Sequence, residues 1–135
     1  MKLVTFESGP GQTRIGALRP NGDVVELTAA YSLYARDIEH EQAAGRIAAA
    51  RVPPDMRQLF EGGDASLKAA EAAFRYVAGL AEGAAGIHGE PVIYPAAQAR
   101  LKAPIIPKKF FHTAGNFREH HEEAQKSGFS HPVLP

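Results

Sequence analysis

The run Gly115-Asn116-Phe117-Arg118-Glu119-His120-His121-Glu122-Glu123 holds the residues best suited to chemistry in this chain. His120 follows Phe117 by three places, and Glu123 follows His120 by three more. On a helix, positions three apart share a face, so His120 and Glu123 can address the same water. Imidazole titrates near neutrality and takes a proton from water at working pH. A carboxylate beside it orients the ring and favours its protonated form. Two other readings fit the same residues. His112, His120, His121 and His131 stand among Glu119, Glu122 and Glu123, and a solvated polar helix with pairs such as Glu122 and Lys126 accounts for that pattern. A zinc site of the His-Glu-x-x-His kind needs a histidine at 125, where the chain has Gln125. No cysteine is present to complete another zinc set.

The composition narrows the class. The 135 residues suit one domain or a piece of a larger one, and 44% hydrophobic with 22% charged residues is ordinary for a globular chain. Fifteen basic and fifteen acidic side chains cancel, so no net field draws nucleic acid or an anionic membrane. No apolar run approaches the roughly 18 residues of a membrane span. Without a basic-then-apolar leader the sequence is expected to be cytoplasmic. The absence of cysteine excludes disulfides and a thiol nucleophile.

The elements that must position the motif are legible from periodicity. Residues 2–7, 14–19 and 23–27 alternate or carry β-branched residues, which predicts an antiparallel meander. Asn21-Gly22 is expected as a two-residue hairpin turn. Thr28 is expected to cap a helix striped by Tyr31, Tyr34, Ala35 and Ile38, continuing through Ala43, Ala44, Ile47 and Ala48 until Pro53-Pro54 breaks it. Residues 55–60 predict a short helix with Met56, Leu59 and Phe60 inward, closed by Gly62-Gly63. Asp64 is expected to cap a further helix striped by Leu67, Ala70, Phe74, Val77 and Ala78 and ending near Gly83. A surface loop at 83–89 then precedes short strands at 91–94 and 101–106. A strand over 108–114 enters the motif through Gly115. His112, inside that strand, is read as structural.

In that setting the motif resembles the fumarylacetoacetate hydrolase superfamily, whose members carry a strand entering Gly-x-Asn-Tyr-x-x-His-x-x-Glu after a proline-rich approach. Here the approach is Ala103-Pro104-Ile105-Ile106-Pro107, and His131-Pro132-Val133-Leu134-Pro135 resembles the next Pro-x-x-Pro segment. The opening Met1-Lys2-Leu3-Val4-Thr5-Phe6, with Arg14-Ile15-Gly16 and Asp23-Val24-Val25-Glu26-Leu27, is similar to the small N-terminal domain of many members. Two positions depart from the pattern. Ala114 stands at the family's glycine with Gly115 one place later, and Phe117 replaces the usual Tyr, removing a hydroxyl.

The resemblance implies an α+β fold. A small N-terminal β-meander with helices over 1–100 would lead at 101–135 into the start of a mixed β-roll core, whose remainder is absent here. It implies His120 as general base and Glu123 as its partner, on a short helix that orders over the substrate. Gly115, Asn116, Phe117 and Arg118 would shape the turn and the substrate side. The family's metal ligands, a Glu-x-Glu pair and a later Asp, are expected downstream. Mg²⁺ (or Mn²⁺ or Ca²⁺) would therefore be bound by residues beyond Pro135, and none of Glu61, Asp64 or Glu90 matches a ligand position. The implied activity is hydrolytic C–C cleavage of an acylpyruvate or another 1,3-dicarbonyl acid. Decarboxylation, isomerisation or hydration of a related 2-oxo acid is possible on the same fold, and so is a non-catalytic fragment or interaction module. The implied partners are the small acid itself, the remainder of the enzyme (conceivably a separate chain) and a second copy in a homodimer. Neither nucleic acid nor membrane is expected.

Overall fold

Alternation in the first 26 residues builds the sheet. In a computed structural model, which describes residues 1–107 and residue 109, β1 (Leu3–Gly9), β2 (Gln12–Leu18) and β3 (Val24–Glu26) form the expected antiparallel meander. Two further strands, β4 (Ile93–Tyr94) and β5 (Arg100–Lys102), complete a five-stranded sheet in the order β4-β3-β2-β1-β5. The fold is α+β, because four helices are added: α1 (Leu27–Asp37), α2 (Ala44–Arg51), α3 (Met56–Glu61) and α4 (Gly63–Ala78). None of the described helices is long and apolar enough to cross a membrane.

The turns follow from their residues. Pro10 and Gly11 join β1 to β2, with Gly11 at φ 70, the Pro-then-Gly order that a type II turn selects. The second hairpin is one residue longer than expected. The Gly22 N–H donates to the Arg19 carbonyl at 3.0 Å and the Arg19 N–H to the Asp23 carbonyl at 2.8 Å, so Pro20-Asn21-Gly22 is a three-residue loop. Pro20 takes the first corner of a type I turn, and Gly22, at φ 90, supplies the left-handed residue that follows it.

The sheet has two apolar faces, because opposed residues in the register point the same way. Ile15, Ala17 and Val25 join Leu27, Ala30 and Leu33 of α1 in the main core. Phe6 and Val24 point to the other face and are equally buried, although they lie outside that core. The sheet curls into a half-barrel over them, bringing Tyr94 of one edge strand to 5.0 Å from the Phe6 ring, centroid to centroid. Gly16 permits the curl. A Cβ there would collide with the Val24 side chain, lie 2.9 Å from the Val25 carbonyl oxygen and 3.1 Å from the Phe6 ring.

Several helix boundaries differ from expectation, each for a local reason. Glu26, not Thr28, caps α1: its side chain accepts from the N–H groups of Thr28 and Ala29. The Thr28 hydroxyl instead donates to the Val52 carbonyl at 2.7 Å, tying the start of α1 to the end of α2. The helical stripe does not run on through Ala43. The chain turns at Ile38, which is half exposed, because Glu39 is drawn back to accept from the Tyr31 hydroxyl at 2.8 Å and from Arg51 at 3.1 Å. Phe60 is also exposed rather than inward, since Met56 and Leu59 alone occupy the buried side of the six-residue α3. The next helix begins at Gly63 with Gly62 as its cap residue, where Ser66 packs too closely to admit a Cβ. Its inner stripe of Ala70, Ala73 and Val77 lets α4 lie closely against α1, while Ala78 is exposed and the helix stops there, short of Gly83. The expected strand at 101–106 shortens to β5, and that at 91–94 to β4.

Gly16→Ala forces atoms into the closed interior of the half-barrel. It should destabilise the fold by about 1–3 kcal/mol, read as a lower urea midpoint. An unchanged midpoint would show that the curl has slack there.

Candidate functional site

His120, Glu123, Gly115, Asn116, Phe117 and Arg118 lie outside the described residues, as do His112, His121 and His131. Among the described residues, no group of three or more His, Asp or Glu side chains could hold a metal ion. Glu61, Asp64 and Glu90 are far apart in role: Glu61 pairs with Arg57 at 3.4 Å, Asp64 sits in the first turn of α4, and Glu90 belongs to the loop before β4.

The described residues form a cleft of about 460 Å³ at the mouth of the half-barrel, mostly apolar in its lining with charged groups set into it. The curl of the sheet supplies Arg14 and Glu26 on one side and Tyr94 on the other, and α1 and α2 supply Ser32, Ala48 and Ala49. The loop before β4 adds Ile87, His88 and Glu90. That loop is shaped by its own acid. The His88 N–H donates to Glu90 Oε2 at 2.8 Å, and the Gly86 N–H to the Glu90 carbonyl at 2.7 Å. The Glu90 carboxylate lies over Gly86, where a Cβ would collide with it. The imidazole of His88 and the side chain of Ile87 close over Gly45 of α2.

Glu26 is the most constrained charge in the cleft. The residue is 6% exposed, and both carboxylate oxygens accept backbone N–H groups, from Thr28 at 3.1 Å and Ala29 at 2.8 Å. Burial raises its pKa above the ordinary 4.5, while those two N–H groups and the charge of Arg14 pull it back. Burial also raises the Tyr94 phenol, with Glu26 and Glu90 adding to the rise and Arg14 opposing it. Tyr94 therefore keeps its proton and remains a donor. A buried acid, a half-buried guanidinium and a phenol converging on one cleft make a place for a small polar molecule. Sequence reading missed it. Its one local signal is an acid immediately before a helix, Glu26-Leu27-Thr28-Ala29, and the rest is contributed by segments far apart in the chain.

A second groove, of about 520 Å³, lies between the start of α3 and the segment leaving β5, with Thr5, Met56, Lys102, Ile105 and Ile106 among its walls. Its charges are engaged elsewhere: Asp55 caps α3 by accepting from the Gln58 N–H at 2.9 Å, and Lys102 lies 3.7 Å from Glu7.

No protein-family model matches this chain, and neither a curated protein nor a solved structure matches it.

Two outcomes follow from Glu26. Glu26→Ala leaves two N–H groups at the start of α1 without their acceptor and should lower stability by about 1–2 kcal/mol. Because the native state holds this proton more tightly than the unfolded chain, the residue's contribution is full below pH 4.5 and is lost as pH rises through the raised native value. Urea unfolding of the native chain and of Glu26→Gln, compared from ~pH 4 to ~pH 7, should show the difference moving against the native chain as pH rises.

Proposed function

We propose that this chain is the N-terminal part of a fumarylacetoacetate hydrolase-type enzyme that cleaves a C–C bond in an acylpyruvate or similar 1,3-dicarbonyl acid. One observation carries the reading: Gly115-Asn116-Phe117-Arg118-Glu119-His120-His121-Glu122-Glu123, preceded by Pro104-Ile105-Ile106-Pro107. The described residues lend it support of a coarser kind. They form an α+β unit in which an antiparallel meander comes first and helices follow, and β5 leads the chain out toward Pro104.

In this reading His120 takes a proton from water and the resulting hydroxide adds to the substrate carbonyl. The C–C bond then breaks, its electron pair leaves on the carbon that becomes an enolate, and that carbon takes up a proton to give the 2-oxo acid. The other product is a carboxylate. Glu123 orients the imidazole and stabilises its charged form. Phe117 offers no hydroxyl to the substrate, so orientation falls to Asn116 and Arg118. When bound, a divalent cation supplies Lewis-acid polarisation of the substrate oxygens. By the family resemblance, its carboxylates would come from residues beyond Pro135, and homodimer formation from the core that follows.

The test uses the enzyme containing this chain, with Mg²⁺, on an acylpyruvate and on oxaloacetate. His120→Ala should cut acylpyruvate turnover by about 10²–10⁴-fold while Mg²⁺ affinity persists. Undiminished turnover would overturn the assignment of the base. Faster turnover of oxaloacetate than of acylpyruvate would move the enzyme to the decarboxylases, where no water attacks. The 135-residue chain alone should show no Mg²⁺-dependent turnover of either acid.

A further inference from the structure

The cleft at the mouth of the half-barrel, built from described residues alone, is lined by charges of both signs. Arg14 is half-buried in its wall, and among the described residues its guanidinium makes no hydrogen bond and no ion pair. A guanidinium carries five N–H donors in a planar fork that matches a carboxylate. Glu26 and Glu90 stand in the same cleft, both close enough to Tyr94 to act on its phenol. These charges discriminate among ligands. A simple anion on Arg14 would face two carboxylates, and a simple cation beside those carboxylates would face Arg14. A molecule that carries both a carboxylate and an ammonium satisfies both. The remaining wall mixes Ser8, Gln12, Ser32 and His88 with an apolar part, Ile87 with Ala48 and Ala49, that suits a short aliphatic side chain. The volume of about 460 Å³ falls in the range of small-molecule pockets.

We propose that this cleft binds a small zwitterion of the α-amino-acid type, its carboxylate on Arg14, its ammonium on the Glu90 side and its side chain against Ile87. Glu26 forms the acidic floor and Tyr94 donates across the middle. Gly86 does not line the cleft but positions Glu90, because a Cβ there would collide with the Glu90 carboxylate where it now lies.

The test titrates the isotope-labelled chain with L-leucine, followed by the backbone amide shifts of Ser32, Gly45 and Glu90. It runs to ~10 mM, about tenfold above a millimolar dissociation constant. Two isosteres serve as separate arms: 4-methylpentanoate, which lacks the ammonium, and 3-methylbutylamine, which lacks the carboxylate. L-Leucine should shift these amides saturably, and each isostere should bind about tenfold or more weakly, as expected on losing a charge-assisted contact. Arg14→Met should weaken L-leucine by a similar factor. Gly86→Ala, which displaces Glu90 without changing any charge, should weaken L-leucine and, by moving a facing carboxylate away, should not weaken 4-methylpentanoate. Absence of saturable shifts with L-leucine overturns the proposal, as does 4-methylpentanoate binding as tightly as L-leucine, or affinity unchanged in Arg14→Met. Should Arg14→Met fail to fold, Arg14→Lys and Gly86→Ala read the same two contacts.

Discussion

β3 passes into α1 without a loop: Glu26 ends the strand and Leu27 begins the helix. A junction that abrupt leaves the first N–H groups of the helix without backbone partners in a largely buried position. The Glu26 side chain folds back to accept two of them, so the residue that finishes the sheet also satisfies the start of the helical layer. Holding a carboxylate there requires desolvating it, and the protein partly offsets that with the two N–H groups and with Arg14 on the neighbouring strand. The position of α1 over the sheet, and through it of α2 and α4, follows from this junction.

The layers around it are joined by further polar ties at their ends rather than by long loops. The Thr28 hydroxyl reaches Val52, the Tyr31 hydroxyl bridges Glu39 and Arg51, and the Tyr76 hydroxyl donates to Asp37 at 2.6 Å. The rings of Tyr31, Tyr34 and Tyr76 lie in sequence between two of these ties, with centroids 5.8 and 5.9 Å apart. A tyrosine is well suited to this position, since its ring packs among helices while its hydroxyl finds a partner at the rim. The connection between α1 and α2 is held firmly enough that His40 adopts φ 56, a region few residues other than glycine enter.

Periodicity made the meander, α1, α3 and α4 legible, because each buries one regular face. It failed where the decisive interaction joins residues distant in sequence. Ile38 completes a stripe by type, yet the pull of Tyr31 and Arg51 on Glu39 ends the helix before that stripe can be buried. Phe60 belongs to a helix too short to bury three large side chains. Glu26 escaped notice as a cap because the usual cap residues are shorter, and Thr28 nearby fits the rule better. The two candidate sites differ in the same way. His120 and Glu123 are singled out by three-residue spacing together with the strand, glycine and asparagine before them, and they lie outside the described residues. Arg14, Glu26, Glu90 and Tyr94 carry no such spacing, and only the curl over Gly16 gathers them.

Among the described residues nothing pairs with the outer edge of β5, and Leu101 in its middle is about half exposed. On either side of it stand Arg100 and Lys102, both 3.7 Å from Oε2 of Glu7. One acid shared by two bases leaves that rim net cationic. A second molecule approaching to extend the sheet would bring like charges into register, and the strand offers only three residues to repay the repulsion. That lateral border is thus guarded by charge against zipping with its own kind.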